Sequence, residues 1–263
     1  MIIRRGSRGS LVKDIQHRLN ERGFGPLDED GIFGRGTESA VKIFQQSVTG
    51  LAADGIVGPK TLAELDKQTT TTTSHVVGSA PHIIGVIKAK GLEVFEDGQV
   101  NIVGVRSSEP SANSFDDVIH LAWLKDGVWQ HKTYPCTCDP GTYYLEHPMK
   151  VEGTAILCPG QYPVYKFDKH RGTYVTLCQR AGPVKCWRDN TKDSILDHTG
   201  DPSTSWGINI HHAGTDSSEV NKWSAGCQVF KRLADWKEAM SIWKASGAEL
   251  FTYTLIDDTD LTS

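Results

Sequence analysis

The sequence predicts two domains: a small all-α module of three helices, followed by a larger, mainly β domain, sandwich or barrel-like, with one helix near the C-terminus. Three observations predict this arrangement. Residues 1–66 contain a repeated turn and apolar residues at helical spacing, residues 67–81 are rich in threonine and lack periodicity, and from residue 82 apolar and polar residues alternate. We therefore expect one domain at 1–66, a linker at 67–81 and a second domain at 82–263.

The length and net charge of the chain limit the kinds of partner that it is expected to bind. The chain has 263 residues and a formal net charge of −4, with a pI near 6.2. This length is enough for one or two cores, and the charge does not favour binding to nucleic acid or anionic lipid. The apolar runs are too short to span a membrane, and the first residues lack the apolar stretch of a secretory signal. We expect a monomer. We also expect either that the sequence is that of the mature protein or that the protein reaches its target by a route other than general secretion.

The repeated turn organises the first domain. Asp30-Gly31-Ile32 recurs 24 residues later as Asp54-Gly55-Ile56, and each copy leads into a helix. Asp-Gly makes a tight turn, and the apolar residues beside it hold the loop on a core. The predicted helices span 10–21, 37–47 and 59–66.

The same segment resembles a known family. Its repeated turns, together with Gln16, Leu19, Phe44 and Gln45, resemble the three-helix peptidoglycan-binding module found beside many cell-wall hydrolases. The resemblance covers the whole of residues 1–66. It implies a targeting device that binds peptidoglycan and carries no catalytic group, although these residues also fix a fold, and a fold alone does not prove binding.

The second domain has the pattern of many short strands. Turn residues such as Glu-Asp-Gly, Lys-Asp-Gly and Asp-Pro-Gly separate the alternating stretches. Such a pattern is typical of a sandwich or barrel. The predicted strands are 83–88, 92–96, 99–106, 118–125, 128–134, 153–157, 174–179, 184–188, 207–211 and 249–256, with one helix at 233–246.

The cysteines and acidic residues leave other sites open. Cys178 and Cys186 flank a turn and would face each other across a hairpin, either as a disulfide or as two free thiols. A single residue separates Cys136 from Cys138, a spacing that is awkward for tetrahedral zinc. The acidic stretch from Asp189 predicts a polar loop rather than a calcium loop, because the glycine of the sharp turn and the closing glutamate are absent.

The stretch 206–230 contains the candidate chemistry. An alternating segment ends at His211, and fifteen residues then separate it from Cys227, which follows Ser-Ala-Gly. A thiol, an imidazole at a neighbouring strand end and backbone donors beside a glycine are the parts of an acyl-transfer site. The alternative is that Cys227 is a small buried hydrophobe, as cysteines often are.

This stretch resembles the active-site signature of the L,D-transpeptidase family of bacterial cell-wall enzymes. The signature is a histidine at a strand end, roughly fifteen residues, and then Ser-x-Gly-Cys. Two positions depart from the family pattern: Ala225 stands where many members have histidine, and Gln228 stands where arginine or asparagine is frequent. The matching residues are His211, Ser224, Gly226 and Cys227.

The resemblance implies a role for each matching residue. Cys227 would be the nucleophile and His211 its base, because a free thiol is largely protonated near neutral pH. Ser224 or a backbone carbonyl would hold the second ring nitrogen of His211. The N–H groups of Gly226 and Cys227 would stabilise the oxyanion. This chemistry needs no metal and no cofactor.

Neighbouring residues are expected to contact the substrate. His212 follows His211 on a strand, so the two side chains point to opposite faces and only one of them can address the thiol. We assign the base to His211, which is in register with the family's histidine. The expected substrate contacts are His212, Trp223 and Gln228.

The resemblance also implies a substrate, the stem peptide of peptidoglycan with its glycan. The thiol would attack the carbonyl of the third residue, an L-centre followed by D-Ala, and the thioester would pass to water or to an amine. Water would make the protein a carboxypeptidase or endopeptidase, and an amine would make it a transpeptidase. A wall-binding module near residue 1 and the missing signal resemble phage lysins and injected toxins, which favours degradation or modification of a target cell wall.

Two alternatives belong to other classes. The chain can be a non-catalytic wall-binding protein with a degenerate enzyme domain, or a zinc peptidase that acts on the same polymer. The second needs a His/Asp/His set, and the ten histidines show no recognisable zinc-peptidase spacing.

Overall fold

A computed structural model of the chain describes residues 2–22, 24–25, 27–48, 50–66, 80–108 and 112–262. The chain divides into two compact units, Met1–Val77 with Leu261–Ser263, and Gly78–Asp260. The predicted linker 67–81 lies outside the described residues except for its last two positions. In the described part of the chain, no helix is both long and apolar enough to cross a lipid bilayer.

The first unit has three helices within its described residues: α1 (Ser10–Glu21), α2 (Arg35–Ser47) and α3 (Pro59–Asp66). α1 and α3 have the predicted bounds, and α2 begins two residues earlier than predicted. The apolar residues at helical spacing point inward, as the amphipathic pattern requires. Together with Ile3, Phe33 and Val57, which lie outside the helices, they form one core. Its helical members are Val12, Ile15, Leu19, Ala40, Val41, Phe44 and Leu65.

Two glutamines hold the repeated turns onto the helices. The Gln45 amide nitrogen donates to the Asp54 carboxylate (3.0 Å), the Ile56 carbonyl (2.8 Å) and the Thr61 hydroxyl (3.1 Å). The Gln45 amide oxygen accepts the Gly55 N–H at 2.9 Å. Gln16 makes the equivalent four bonds in the first copy. One buried amide thus satisfies the polar groups of each turn, which explains why the glutamine and the turn recur together.

The second unit is mainly β, as predicted. In its described residues, eight strands close into a barrel in the order β1-β11-β5-β6-β9-β10-β3-β2, and a separate sheet has the order β4-β7-β8. The strands are β1 (Asn101–Arg106), β2 (Asp117–Lys125), β3 (Val128–Thr137), β4 (Thr154–Leu157), β5 (Gly160–His170), β6 (Tyr174–Gln179), β7 (Val184–Asp189), β8 (Ser203–Ser205), β9 (Ile210–His212), β10 (Gln228–Phe230) and β11 (Phe251–Asp257).

Three α-helices, not the one predicted, belong to the described part of this unit. They are α4 (His82–Ala89), α5 (Thr142–Glu146) and α6 (Leu233–Ala245). α6 packs Ala239, Met240 and Trp243 into the barrel core, which the spacing of its apolar residues predicts.

The predicted strand 83–88 is wrong, because this segment forms α4. Its isoleucines and valine favour a strand by composition. The buried positions are Ile83, Ile84, Val86 and Ile87, a spacing that fits one face of a helix, with Gly85 exposed between them. The spacing of the apolar residues therefore outweighs their β-branched character.

The predicted strand 92–96 is also absent from the described structure, because side-chain amides take its backbone groups. Gln161 pairs with both backbone groups of Glu93, and Asn101 pairs with both backbone groups of Phe95. An amide side chain offers one donor and one acceptor, so it satisfies an extended backbone without a neighbouring strand.

Strand β5 was not predicted, because Pro163 interrupts its sequence. The pairing of β5 with β11 shifts register at this point, where Tyr165 lies opposite Phe251 and Tyr162 opposite Tyr253. A bulge leaves one residue outside the ladder, so a proline without an N–H is tolerated there. The strand nevertheless lies inside the barrel between β11 and β6.

The predicted hairpin around 180–183 is wrong, since β6 pairs within the barrel and β7 within the separate sheet. Cys178 and Cys186 are therefore not cross-strand partners. All six cysteines are free thiols. The loop after β7 is organised by Asp189, whose carboxylate accepts the N–H groups of Thr191 (3.3 Å) and Asp197 (3.0 Å).

The glutamine-centred turns predict the effect of a substitution. Gln45→Leu keeps the size of the side chain but leaves four polar groups without their partner. We expect the opening free energy around Gly55 to fall by about 2–4 kcal/mol, because each buried unsatisfied group costs about 1–3 kcal/mol. Amide hydrogen exchange at Gly55 in the full chain measures this. Gln46→Leu is the matched control, since Gln46 is exposed on the same helix and should change exchange little. Equal exchange rates in the two variants would contradict the assignment.

Candidate active site

The two predicted reactive residues lie on a parallel pair of strands. β9 and β10 pair with Ile210 opposite Gln228 and His211 opposite Val229. Parallel strands need a crossover of about a dozen residues or more, and here residues 213–227 form it. The separation of the histidine and the cysteine in the sequence is thus the length of this connection. Cys227 lies one residue before β10, and its neighbour across the pair is Asn209.

Cys227 is half-buried and contacts backbone groups. Its Sγ accepts the N–H of Asn209 at 3.4 Å and donates to the carbonyl of Gly207 at 3.5 Å. Burial raises the pKa of the Cys227 thiol above its ordinary value, while the Asn209 N–H and the positive charge of Arg171 act in the opposite direction. The resting side chain is therefore a neutral thiol.

His211 is buried, with 3% of its surface exposed, and its ring has one hydrogen-bond partner within the described part of the chain. Its Nδ1 lies 3.0 Å from the carbonyl oxygen of His212, so Nδ1 carries the proton and Nε2 keeps its lone pair. Nε2 has no hydrogen-bond partner among the described residues. Burial, and after it the neighbouring His170, lowers the pKa of His211 to about 3. The imidazole is therefore neutral, with a free basic nitrogen.

No hydrogen bond joins the thiol to His211 in the described structure, because the thiol donates to Gly207. The two residues lie on one face of the strand pair, offset by two positions. Strand geometry places their Cα atoms about 8 Å apart, a gap that the two side chains can bridge. In unliganded sites such catalytic bonds are often long and tighten with substrate.

Ser224 organises the loop before the cysteine and is not placed at the ring of His211. Its hydroxyl donates to the Cys227 carbonyl (2.8 Å) and accepts the Gly226 N–H (3.1 Å). The second ring nitrogen of His211 is held instead by a backbone carbonyl, one of the two predicted possibilities. The predicted use of the Gly226 N–H as an oxyanion donor is wrong for this arrangement, because Ser224 occupies it. The Cys227 N–H has no acceptor among the described residues and remains available.

Gly226 must be glycine for two reasons. Its φ is +115°, in a region that side chains rarely adopt. An added Cβ would lie 2.4 Å from the Ala155 carbonyl oxygen in β4, which is backbone and cannot move aside. Strand β4 of the separate sheet therefore packs closely against the loop that contains Cys227.

The expected substrate contact of Gln228 is wrong. This side chain is fully buried, accepts the Tyr253 hydroxyl at 2.7 Å and donates to the Cys138 and Gly226 carbonyls. It links the cysteine loop to the barrel interior. Trp223 is 42% exposed beside the same loop and can meet a ligand. His212 is half-buried and packs on Tyr174 and Trp236 at ring-centre distances of 4.7 and 4.6 Å.

Two residues near the site were not identified from the sequence. His170 ends β5 and stacks on His211, with ring centres 4.2 Å apart. Asn209 contacts the thiol through its backbone and His170 through its side chain. His170 was missed because its strand was missed. Asn209 had a usable signal, since it is a polar residue two positions before His211 and shares its face of the strand.

The close approach of Gly226 to Ala155 predicts that alanine at position 226 destabilises the second unit more than alanine at another glycine with positive φ. Gly226→Ala should lower the free energy of unfolding of the second unit by about 2 kcal/mol or more beyond the effect of Gly247→Ala. Gly247 also has a positive φ, +68°, but an added Cβ there meets nothing within 4 Å, so it isolates the backbone cost. All seven tryptophans follow residue 82, so urea unfolding monitored by tryptophan fluorescence reports this unit. Similar losses in both variants would show that the approach to Ala155 is unimportant.

The buried histidines predict a loss of stability in acid. Burial lowers the pKa of His170 to about 4, and the pKa of His211 is about 3. Unfolded histidine titrates near 6.5, so below that pH the unfolded chain binds more protons. Their contribution is complete above pH 6.5 and is lost as the pH falls towards 4. His170→Gln should flatten the slope of stability against pH by up to about 1.4 kcal/mol per unit, measured by urea unfolding at several pH values. His147→Gln, at an exposed position, is the control variant. The same slope in His170→Gln as in the unsubstituted protein would refute this.

Comparisons with known proteins bear mainly on the first unit. Residues 8–65 match the family model of a putative peptidoglycan binding domain, which confirms the resemblance of the N-terminal segment. The spore cortex-lytic enzyme of Bacillus cereus is 43% identical over 68 residues, which is 26% of this chain and 26% of that enzyme. The N-acetylmuramoyl-L-alanine amidase CwlM of Mycobacterium tuberculosis is 42% identical over 76 residues, 29% of this chain and 18% of that protein. The matches span about a quarter or less of these relatives.

Among solved structures, an L,D-transpeptidase from Xylanimonas cellulosilytica aligns with 97% of this chain and 98% of its own. The identity is 20% and the TM-score 0.36, which does not establish a shared fold. The match of residues 8–65 to a peptidoglycan-binding domain is therefore the finding that relates this chain to the bacterial cell wall.

Proposed function

We propose that this protein is a cysteine enzyme that acts on peptidoglycan. The first unit binds the polymer, and the second attacks the L,D bond of a stem peptide through Cys227 and releases D-Ala. The acyl group then passes from the thioester to water, as in a lysin-like carboxypeptidase or endopeptidase, or to an amine, as in an L,D-transpeptidase. The site of action is the bacterial cell wall.

One observation carries the catalytic part of this proposal. The His211 ring donates from Nδ1 to a fixed carbonyl, so its Nε2 lone pair is free on the face of the strand pair that also bears Cys227. A general base needs this tautomer, and the bond at the far nitrogen maintains it. A buried nitrogen without a partner is costly, and a role as general base accounts for it here.

The electrostatics define the order of proton movement. The thiol and the imidazole both rest in their neutral forms, since burial raises the pKa of Cys227 and lowers that of His211. The proton therefore moves from Sγ to Nε2 as the S–C bond forms, and not beforehand. The Cys227 N–H donates a hydrogen bond to the developing oxyanion. When the C–N bond breaks, His211 returns the proton to the leaving amine, and the thioester remains.

The proposed action on peptidoglycan rests on different evidence from the proposed cysteine mechanism. Residues 8–65 match a peptidoglycan-binding domain, and the relatives named above are a cortex-lytic enzyme and an amidase. Such a module raises the local concentration of the attached domain at the polymer. A substrate within peptidoglycan follows from this tethering, and the L,D bond follows from the resemblance of residues 211–228 to the transpeptidase signature.

A second candidate is a wall-binding protein without catalysis. The observation that favours it is the hydrogen bond of the thiol to Gly207, which leaves Cys227 and His211 unconnected in the unliganded site. In that case residues 82–263 would be a degenerate enzyme domain, and purified peptidoglycan would be bound without being changed.

Cys227→Ala separates the two candidates. We expect the full chain to convert disaccharide tetrapeptides, with loss of D-Ala or formation of dimers visible in the masses of the products. The alanine variant should lose this turnover by at least about 10³-fold, because the nucleophile is absent. Cys158→Ala is the matched control, since Cys158 is a free thiol on another strand end and should retain activity. His211→Gln should lose about 10²–10⁴-fold.

Intact-mass analysis of the protein provides a second measurement. A covalent adduct of the acyl group on wild type and on Cys158→Ala, but not on Cys227→Ala, would identify the nucleophile. Unchanged turnover by Cys227→Ala would refute the scheme. Retention of peptidoglycan by wild type without any product would favour the second candidate.

A further inference from the structure

His170 at the end of β5 and His211 in β9 form a stacked pair of imidazoles. Their ring centres are 4.2 Å apart and their planes differ by 30°. His170 is 7% exposed, so both rings lie in the interior of the unit. A contact this close covers one face of the His211 ring and restricts its rotation.

The tautomer of His170 follows from a chain of hydrogen bonds. The backbone N–H of Gln179 can only donate, and it lies 3.0 Å from Asn209 Oδ1. This fixes the orientation of the Asn209 amide, so its Nδ2 donates to His170 Nδ1 at 3.1 Å. His170 Nδ1 is therefore the acceptor, and its proton is on Nε2. His211 has the opposite tautomer, with its proton on Nδ1.

Asn209 joins this pair to the thiol. Its backbone N–H donates to Cys227 Sγ at 3.4 Å, while its side chain holds His170. The residue is 7% exposed and precedes His211 by two positions on the same face. A continuous series of contacts thus runs from the thiol through Asn209 and His170 to His211. Each contact restrains the position of the next group.

We propose that His170, fixed by Asn209, is a positioning residue that holds the His211 ring with its free nitrogen available to Cys227. This inference rests on the proposed function for its catalytic meaning. In this scheme His170 acts through the face of the His211 ring and not on the reacting atoms.

The physical reason is the cost of a ring flip. Rotation of His211 by 180° about its Cβ–Cγ bond exchanges Nδ1 with Cδ2 and Nε2 with Cε1. The bond to the His212 carbonyl would break, and a carbon would replace the lone pair. Because β9 is a short strand of three residues, Ile210–His212, the stacked ring of His170 adds a restraint that the strand alone lacks. Misplacement of a catalytic group by about 1 Å can cost about 10²-fold in rate.

Three variants in the full chain test this positioning role. His170→Ala removes the stack, and His170→Phe retains an aromatic face without the bond to Asn209. His131→Ala is the matched control, because His131 stacks on His120 elsewhere in the barrel at a ring-centre distance of 5.2 Å. Two readouts are the kcat and KM on a disaccharide tetrapeptide, and the nitrogen-15 NMR shifts of the His211 ring, which report its tautomer without substrate.

We expect His170→Ala to lower kcat by about 10²-fold with little change in KM, and His170→Phe to restore most of the loss. The NMR shifts should show His211 as the Nδ1–H tautomer in wild type and in His170→Phe, and as a mixture in His170→Ala. The acid limb of kcat should move to higher pH in His170→Ala, since the ring becomes hydrated. Other titratable or charged groups also face His211 and the thiol, and every variant retains them. They are His212, Arg171, Tyr165, Tyr174 and Cys178.

The outcomes separate this inference from the proposed function. A wild-type protein without turnover would remove the function, while the tautomer measurement would still test the restraint. An unchanged tautomer and kcat in His170→Ala would overturn the inference while the nucleophile assignment stood. If His170→Ala does not fold, a His170→Phe protein with a mixed tautomer and a low kcat would overturn it equally. An effect of the same size in His131→Ala would show a general loss of stability instead.

Discussion

The parallel pairing of β9 and β10 is the constraint on which the candidate site depends. It places His211 and Cys227 on one face, two positions apart, while Ile210 and Phe230 on the other face enter the barrel core. Parallel strands cannot be joined by a tight turn, so a crossover must separate the two residues in the chain. The spacing in the sequence is therefore a consequence of the topology, and the core residues anchor the strands that present the polar ones.

Around this pair, the protein keeps both reactive groups neutral. Burial disfavours the thiolate and the imidazolium alike, so the pKa values of Cys227 and His211 move apart. A thiolate–imidazolium pair at rest would be more reactive towards oxidants than the neutral thiol and imidazole are. The Asn209 N–H and the Arg171 charge offset only part of the rise that burial causes in the pKa of the thiol. The activation proposed above is thus coupled to attack, and it requires that the base be held in one tautomer.

The accuracy of the sequence-based prediction differed between the two units for a physical reason. The helices of residues 1–66 follow from local spacing and from a turn that repeats, so α1 and α3 have their predicted bounds. In the second unit, β2 and β3 alternate regularly and were found. β5 was not, because Pro163 signals an interruption that a bulge absorbs. The predicted strand at 83–88 follows from the β-branched composition of this segment, whereas the spacing of its buried residues fits the helix α4.

The sequence by itself determined the three helices of residues 1–66, the repeated turns between them and the mainly β character of residues 82–263, since these depend on residue type and local spacing. The assignment of Cys227 as nucleophile and His211 as base stays a prediction. Tertiary structure decided which hydrogen bonds form among them. It enclosed Gln228 and tied the Gly226 N–H to Ser224. It also brought His170 onto a ring 41 positions away in the chain. Such contacts depend on how distant strands pair and on where a bulge bends them, and no local pattern of residues encodes that.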